Sequence, residues 1–343
     1  MNTSFPFQRI LIIQTAFLGD VILATGILRK LKTHYPEAKI DFLLKKGNQS
    51  ILNHHPDVNQ IIVFDKTNKW KELWRIIKLV RKSNYDLLIN LHRFASSGII
   101  TALSGAAINV GFNKNPLSVF FSKDVQHVIG SKENPFHETQ RNHTLISEYT
   151  DPKPAFPYLN ISAESLEKTI GLKNKKYICI SPTSVWYTKQ WPEEKWTTLI
   201  KKIPEDITIY LLGGSDDKAV CERIKNNTRR NHLKVLAGQL SLIESAALMK
   251  DAIISFVNDS APTHLASAVN APVCTIYCST VPEFGFTPTS NFSRIIEAKE
   301  HLTCRPCNLH GFKNCPKGHF KCANSIDVND CYNVFEEALK LSQ

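Results

Sequence analysis

A chain of 343 residues with 43% apolar and 21% charged residues is long enough for two ordinary domains, each burying a sizeable core. No apolar stretch approaches the roughly 20 residues that a membrane-spanning helix needs, so the sequence reads as that of a soluble globular protein. Its formal charge of +11 points to an anionic partner, whether nucleotide, nucleic acid or acidic membrane surface, without choosing among them.

At the start, Arg9 precedes Ile10-Leu11-Ile12-Ile13 in the manner of a secretory leader, but Gln14 and Asp20 interrupt the apolar region and no small-residue cleavage site follows. The stretch "RILIIQT" reads instead as a first strand, joined through Asp20 to the helix "VILATGILRKLK". Strands follow at "KIDFLLKK" and "QIIVFD", then a helix over 68–82, then a strand at "YDLLINLH". Near-continuous apolar strands alternating with helices predict a parallel sheet covered on both faces. In the helix 68–82, Trp70, Leu73, Trp74, Ile77 and Val80 make one apolar stripe, with Lys71, Arg75, Lys78, Arg81 and Lys82 on other faces. That pattern fits a core stripe with a solvated basic face first, and a surface drawn to anionic lipid second.

Prolines in "YTDPKPAFPYLN" (149–160) close this series and predict a linker. A second series begins after it, with strands at "KYICISPTS", "ITIYLLGG", "KVLAG", "AIISFVND" and "PVCTIYC" separated by helices. Two Rossmann-like, doubly wound domains are therefore expected, 1–155 and 156–343, with ligands at the C-terminal ends of their strands and a cleft between them.

Few junctions can then carry chemistry. Asp20, after the first strand, stands at one of them, where a carboxylate can cap the following helix. Asp259, Ser260 and Ala261 open a helix bearing His264, an arrangement suited to a diphosphate or to an ordinary N-cap. Lys189, with Thr183 and Ser184 upstream, reads as a phosphate cradle or as a surface lysine. Neither a Walker A sequence nor a G-x-G-x-x-G is present, which argues against a P-loop kinase and a typical dinucleotide oxidoreductase. The segment 301–325 holds Cys304, Cys307, Cys315, His319 and Cys322, spaced for a structural zinc, for reduced thiols packing a loop, or for disulfides. Lys313, Lys317 and Lys321 make it basic.

The stretches "FLGDVILATGILRKLK", "TKQWPEEKW" and "VNDSAPTHLASAVNAPV", in this order, resemble the motifs of glycosyltransferase family 9, the heptosyltransferases of the bacterial lipopolysaccharide inner core. The resemblance implies a GT-B fold with an N-terminal acceptor domain and a C-terminal donor domain, and inverting transfer from ADP-heptose to an anionic, lipid-linked saccharide. It places the base on Asp20, diphosphate contacts on Thr183, Ser184, Lys189, Asp259, Ser260, Ala261 and His264, a ribose contact on Asp216 or Asp217, and Leu240 beside the adenine. It further implies a cytoplasmic monomer in transient contact with the inner membrane, no cofactor required for catalysis, and a reducing compartment that disfavours disulfides. Two positions depart from the family, which usually has glycine at Ala261 and often proline at Gly26. The alternatives are a related transferase using another nucleotide-sugar, and a zinc-containing nucleic-acid-binding protein, for which no recognised motif is present.

Overall fold

The computed structural model describes residues 7–342. The chain divides into two compact units, the first ending at Asn160 and the second beginning at Ile161. Among the described residues no helix is long and apolar enough to cross a membrane.

The first unit runs β1 (Arg9–Gln14), α1 (Leu18–His34), β2 (Lys39–Lys45), β3 (Gln60–Phe64), α2 (Lys69–Ser83), β4 (Leu87–Asn90), α3 (Ala95–Ala102), β5 (Ile108–Phe112), β6 (Lys123–Val125) and α4 (Glu138–His143). Its sheet has the order β3-β2-β1-β4-β5-β6, and every neighbouring pair is parallel. The apolar runs explain the central strands. Ile10 to Ile13 in β1 and Leu87 to Ile89 in β4 are fully buried, as strands covered on both faces require.

Within α2 the buried side chains are Leu73, Ile76, Ile77 and Val80, at the i, i+3, i+4, i+7 spacing of a single face. Trp70 and Trp74, which the sequence places in the apolar stripe, lie outside that face and are exposed. Leu73 and Ile77 already cover the sheet at this register, so the neighbouring positions turn to solvent.

The segment 149–160, expected as a linker, is a strap on α1. The Tyr158 N–H donates to Thr25 Oγ1 at 2.9 Å, Lys30 pairs with Asp151 at 2.6 Å, and Arg29 lies 4.7 Å from the centre of the Tyr158 ring. Gly26 is what lets the strap approach: a Cβ there would stand 2.5 Å from the Ala155 carbonyl oxygen. The departure from the family's proline at this position thus answers a contact inside the first unit.

The second unit runs α5 (Ala163–Ile170), β7 (Tyr177–Ser181), α6 (Glu193–Lys202), β8 (Thr208–Leu211), α7 (Lys218–Thr228), β9 (Leu233–Val235), α8 (Leu242–Lys250), β10 (Ser255–Asn258), α9 (Ala261–Ala268), β11 (Val273–Tyr277), β12 (Ser293–Glu297), α10 (Lys321–Asn324) and α11 (Val328–Leu341). The order is β12-β11-β10-β7-β8-β9, again parallel throughout. Its core includes Trp191 and Trp196, fully buried and edge-to-face at 4.9 Å, which anchor the "KQWPEEKW" stretch beneath the sheet's end.

Both units are doubly wound. The strand order reverses between β1 and β4 in the first and between β7 and β10 in the second, and ligands of such sheets bind at those switch points.

Candidate active site

At the switch point of the second unit, β7 and β10 are adjacent, so the loops leaving their C-terminal ends meet. Asn258, the fully buried last residue of β10, joins them: its Oδ1 accepts from the Trp191 N–H at 2.9 Å, and its Nδ2 donates to the Thr183 carbonyl at 3.4 Å. That clamp fixes the turn Tyr187–Lys189 beside the start of α9. Lys189 Nζ lies 2.6 Å from Asp259 Oδ2, and the same oxygen accepts from Thr280 Oγ1 at 2.6 Å. An ammonium has three donors, and Asp259 occupies one.

The cap reading of Asp259 and Ser260 is not how these side chains are used. Ser260 holds the N-cap position of α9 with no side-chain cap bond, its hydroxyl donating instead to the Asn258 carbonyl at 3.3 Å, while Asp259 faces Lys189. The start of α9 is thus left without a side-chain cap, a helix end of the kind that can face an anion, although Pro262 brings no N–H and the Thr263 N–H donates to the Ser260 carbonyl at 3.0 Å. His264 lies one turn in, buried, with its ring 6.2 Å from that of Phe286. Thr183 is buried at the end of β7, and Ser184 is half-buried beside it.

The loops after β8 and β9 form the neighbouring part of this edge, tied by the Gly238 N–H donating to the Gly213 carbonyl at 3.0 Å. Asp217 turns into its own loop, accepting from the Gly214 N–H at 2.8 Å, whereas Asp216 is exposed. Leu240 is half-buried on the partner loop.

The cysteine-rich segment meets this site in a way the spacing did not foretell. Phe312 N–H donates to Thr188 Oγ1 at 2.8 Å, Thr188 N–H donates to the Phe312 carbonyl at 3.1 Å, and the Phe320 ring stacks on Tyr187 with centroids 5.3 Å apart. The segment thus clasps the turn that carries Lys189. Cys304 Sγ and His319 Nε2 stand 3.9 Å apart, yet among the described residues no group of three or more His, Cys, Asp or Glu side chains is placed to hold a metal ion. All nine cysteines are free, and burial, followed by the neighbouring thiols, pushes Cys322 up to about 11.

Gly311 sits inside the clasp at φ +84°, where a Cβ would come to 3.0 Å from both Lys189 Cγ and Thr188 Oγ1. Gly311→Ala is therefore expected to displace Lys189 and, if this turn cradles a diphosphate, to weaken ADP binding several-fold, on top of the roughly 1–2 kcal/mol that a left-handed alanine costs. Gly318→Ala is the control, because Gly318 also has positive φ but no atom within 4 Å of its would-be Cβ. Calorimetry on both variants decides: equal ADP affinity in the two would remove the clasp from the site.

In the first unit, Asp20 lies in the first turn of α1, half-buried. It is not the helix cap, since Phe17 holds that position. Asp20 and Glu138 feel each other's charge across the contact between α1 and α4. Glu138 is buried against the Arg141 guanidinium, but burial outweighs that partner and raises its carboxyl to about 7.

Basic and polar groups follow the C-terminal ends of the other strands of this sheet: Lys66 after β3, His92 and Arg93 after β4, Lys114 after β5 and His127 after β6. Lys66 Nζ donates to the Thr15 carbonyl at 3.0 Å, and the Thr15 hydroxyl meets His92 Nδ1 at 2.9 Å. Burial first, and then the charges of Lys66 and Arg93, lower His92 to about 4; burial first, and then Arg93, Arg141 and Lys114, lower His127 to about 4. These histidines are neutral near pH 7, and the surrounding field favours an anion. None of this set apart from Asp20 was singled out from sequence, although "NLHRF" directly after a buried strand was a usable sign.

Two doubly wound parallel-sheet units, with a lysine and a helix start meeting at one switch point and a carboxylate beside the other, fit the GT-B class of glycosyltransferases. The chain belongs to glycosyltransferase family 9 (heptosyltransferase), which it matches over residues 73–313. It is 28% identical to lipopolysaccharide heptosyltransferase 1 of Campylobacter coli, with 96% of this chain and 98% of that protein covered. With lipopolysaccharide heptosyltransferase 3 of Escherichia coli the identity is 27%, over 80% of this chain and 84% of the relative. The solved structure of E. coli ADP-heptose lipopolysaccharide heptosyltransferase II superposes with a TM-score of 0.77 at 20% identity, covering 97% of this chain and 99% of that one, a likeness that carries the fold.

Proposed function

We propose that this glycosyltransferase moves heptose from ADP-heptose, with inversion, onto an anionic lipid-linked saccharide of the lipopolysaccharide core at the cytoplasmic face of the inner membrane. The observation that carries the reading is the Lys189–Asp259 pair at the start of α9, 2.6 Å apart at the switch point of the second unit. Its two remaining ammonium donors, the start of α9 and the hydroxyls of Thr183 and Ser184 would together make an anion site of the kind a diphosphate needs, while Ser260 shapes the helix start through its bond to the Asn258 carbonyl. The names of the relatives supply the sugar and the acceptor class.

In this reading Asp20 takes the proton from the acceptor hydroxyl as that oxygen attacks the anomeric carbon, and the C1–O bond to ADP breaks on the opposite face. Lys189 and the start of α9 neutralise the charge that develops on the departing diphosphate. Asp216 serves the ribose, since Asp217 is engaged within its own turn, and Leu240 packs beside the adenine. The basic edge of the first unit, Lys66, Arg93 and Lys114, attracts the anionic acceptor.

Calorimetric titration with ADP, UDP, GDP and ADP-heptose tests the donor. Selective binding of ADP and ADP-heptose, at least about tenfold tighter than UDP or GDP, is the expected outcome. Binding of UDP or GDP as tight as ADP would replace ADP-heptose with another nucleotide-sugar.

A further inference from the structure

Two tryptophans on α2, Trp70 and Trp74, stand one turn apart with 66% and 56% of their surface exposed. The opposite face of the same helix is in the core. Helical geometry continues their stripe through Lys78 and Arg81, and Lys69 and Lys71 flank it, all four exposed. Glu72, the acid of the first turn, is held by Arg75 at 2.8 Å, so the face is basic with two indoles set into it.

Water disfavours exposed indoles, and the medium that accommodates both their apolar rings and their N–H groups is the interface of a bilayer. Lysine and arginine beside them complement anionic headgroups while their stems lie along the apolar region. Position adds to chemistry. α2 begins where β3 ends, so Trp70 stands at the same sheet edge as Lys66, which holds the Thr15 carbonyl after β1. Single-stranded nucleic acid also combines stacking with positive charge, but it is bound in a groove that tracks the backbone, and a convex helix face fits a planar surface instead.

We infer that the Trp70–Trp74 face of α2 seats the first unit on an anionic lipid bilayer, with the indoles at headgroup depth and the lysines and arginines on lipid phosphates. This deepens the reading of a lipid-linked acceptor by naming the surface that brings the enzyme to it. ADP selectivity tests that reading, and lipid partition tests this surface, so either can fail alone.

The full chain is sedimented with vesicles of phosphatidylcholine containing phosphatidylglycerol, with pure phosphatidylcholine vesicles, and with single-stranded RNA as competitor. The expected result is binding to the anionic vesicles that weakens as salt rises, with little binding to the neutral ones. Trp70→Ser/Trp74→Ser and, separately, Lys71→Glu/Lys78→Glu should each lower partition at least about tenfold while leaving ADP affinity and the melting temperature unchanged. Because the two pairs lie on the surface and differ in chemistry, one folded pair suffices. Wild-type protein that fails to bind anionic vesicles, variants that bind as well as wild type, or displacement of the vesicles by RNA through these same residues would each overturn the proposal.

Discussion

Asp20→Asn is expected to lower turnover by about 100-fold or more, the low end of what general base catalysis supplies, with ADP affinity nearly unchanged. The amide keeps the size and shape of the carboxylate but cannot take the acceptor's proton. Donor binding should be spared because the residues proposed to hold the diphosphate belong to the second unit while Asp20 belongs to the first. The competing role is structural. In the first turn of α1 a carboxylate complements the helix dipole, and its loss costs about 0.3–1 kcal/mol. That amount moves a melting temperature by a few degrees at most and does not account for a hundredfold loss in rate. Thermal melts and single-turnover transfer assays on the same sample separate the two. A variant with wild-type turnover would leave Asp20 to the helix alone.

Much of the architecture was legible because the central strands are nearly continuous apolar runs. β1 to β4 and β7 to β11 all coincide with segments read as strands. β5, β6 and β12 escaped: β6 and β12 are edge strands, only partly buried, and "KDV" and "SRIIE" lack the apolar signature of a covered strand, while the interior β5, "INVGF", is a short run broken by Asn109 and Gly111. Trp70 and Trp74 misled because periodicity marks a stripe, and residues at its border share the spacing whether they face the core or water. For the site, Asp20, Lys189 and Asp259 were findable as polar residues just beyond strand ends. Their pairing was not, since Lys189 and Asp259 meet only because the sheet order puts β7 beside β10. Glu138 was hidden for the opposite reason, as a Glu-x-x-Arg pair on a six-residue helix reads like an ordinary exposed ion pair, and only the tertiary structure buries it.

Lys189→Ala is expected to weaken ADP binding about tenfold or more and to lower turnover by a further 100- to 1,000-fold, the range for removing one donor that stabilises developing negative charge. On the proposed role both quantities fall together, since an ammonium that contacts the diphosphate before its departure also contacts it during departure. A structural cost accompanies the loss. Asp259 is buried, and without Lys189 its charge retains only the Thr280 hydroxyl at 2.6 Å, so the single variant should also melt at a lower temperature. Lys189→Ala/Asp259→Asn removes both charges and should recover much of that stability, since a neutral amide in the same place needs no counter-ion. Turnover should not recover with it. Lys189→Arg should restore part of the ADP affinity but less of the rate, because a planar fork does not set its charge where the ammonium stood. If the double variant regained turnover along with stability, Lys189 would be a partner for Asp259 and nothing more, and the diphosphate site would have to be sought elsewhere on that edge of the sheet.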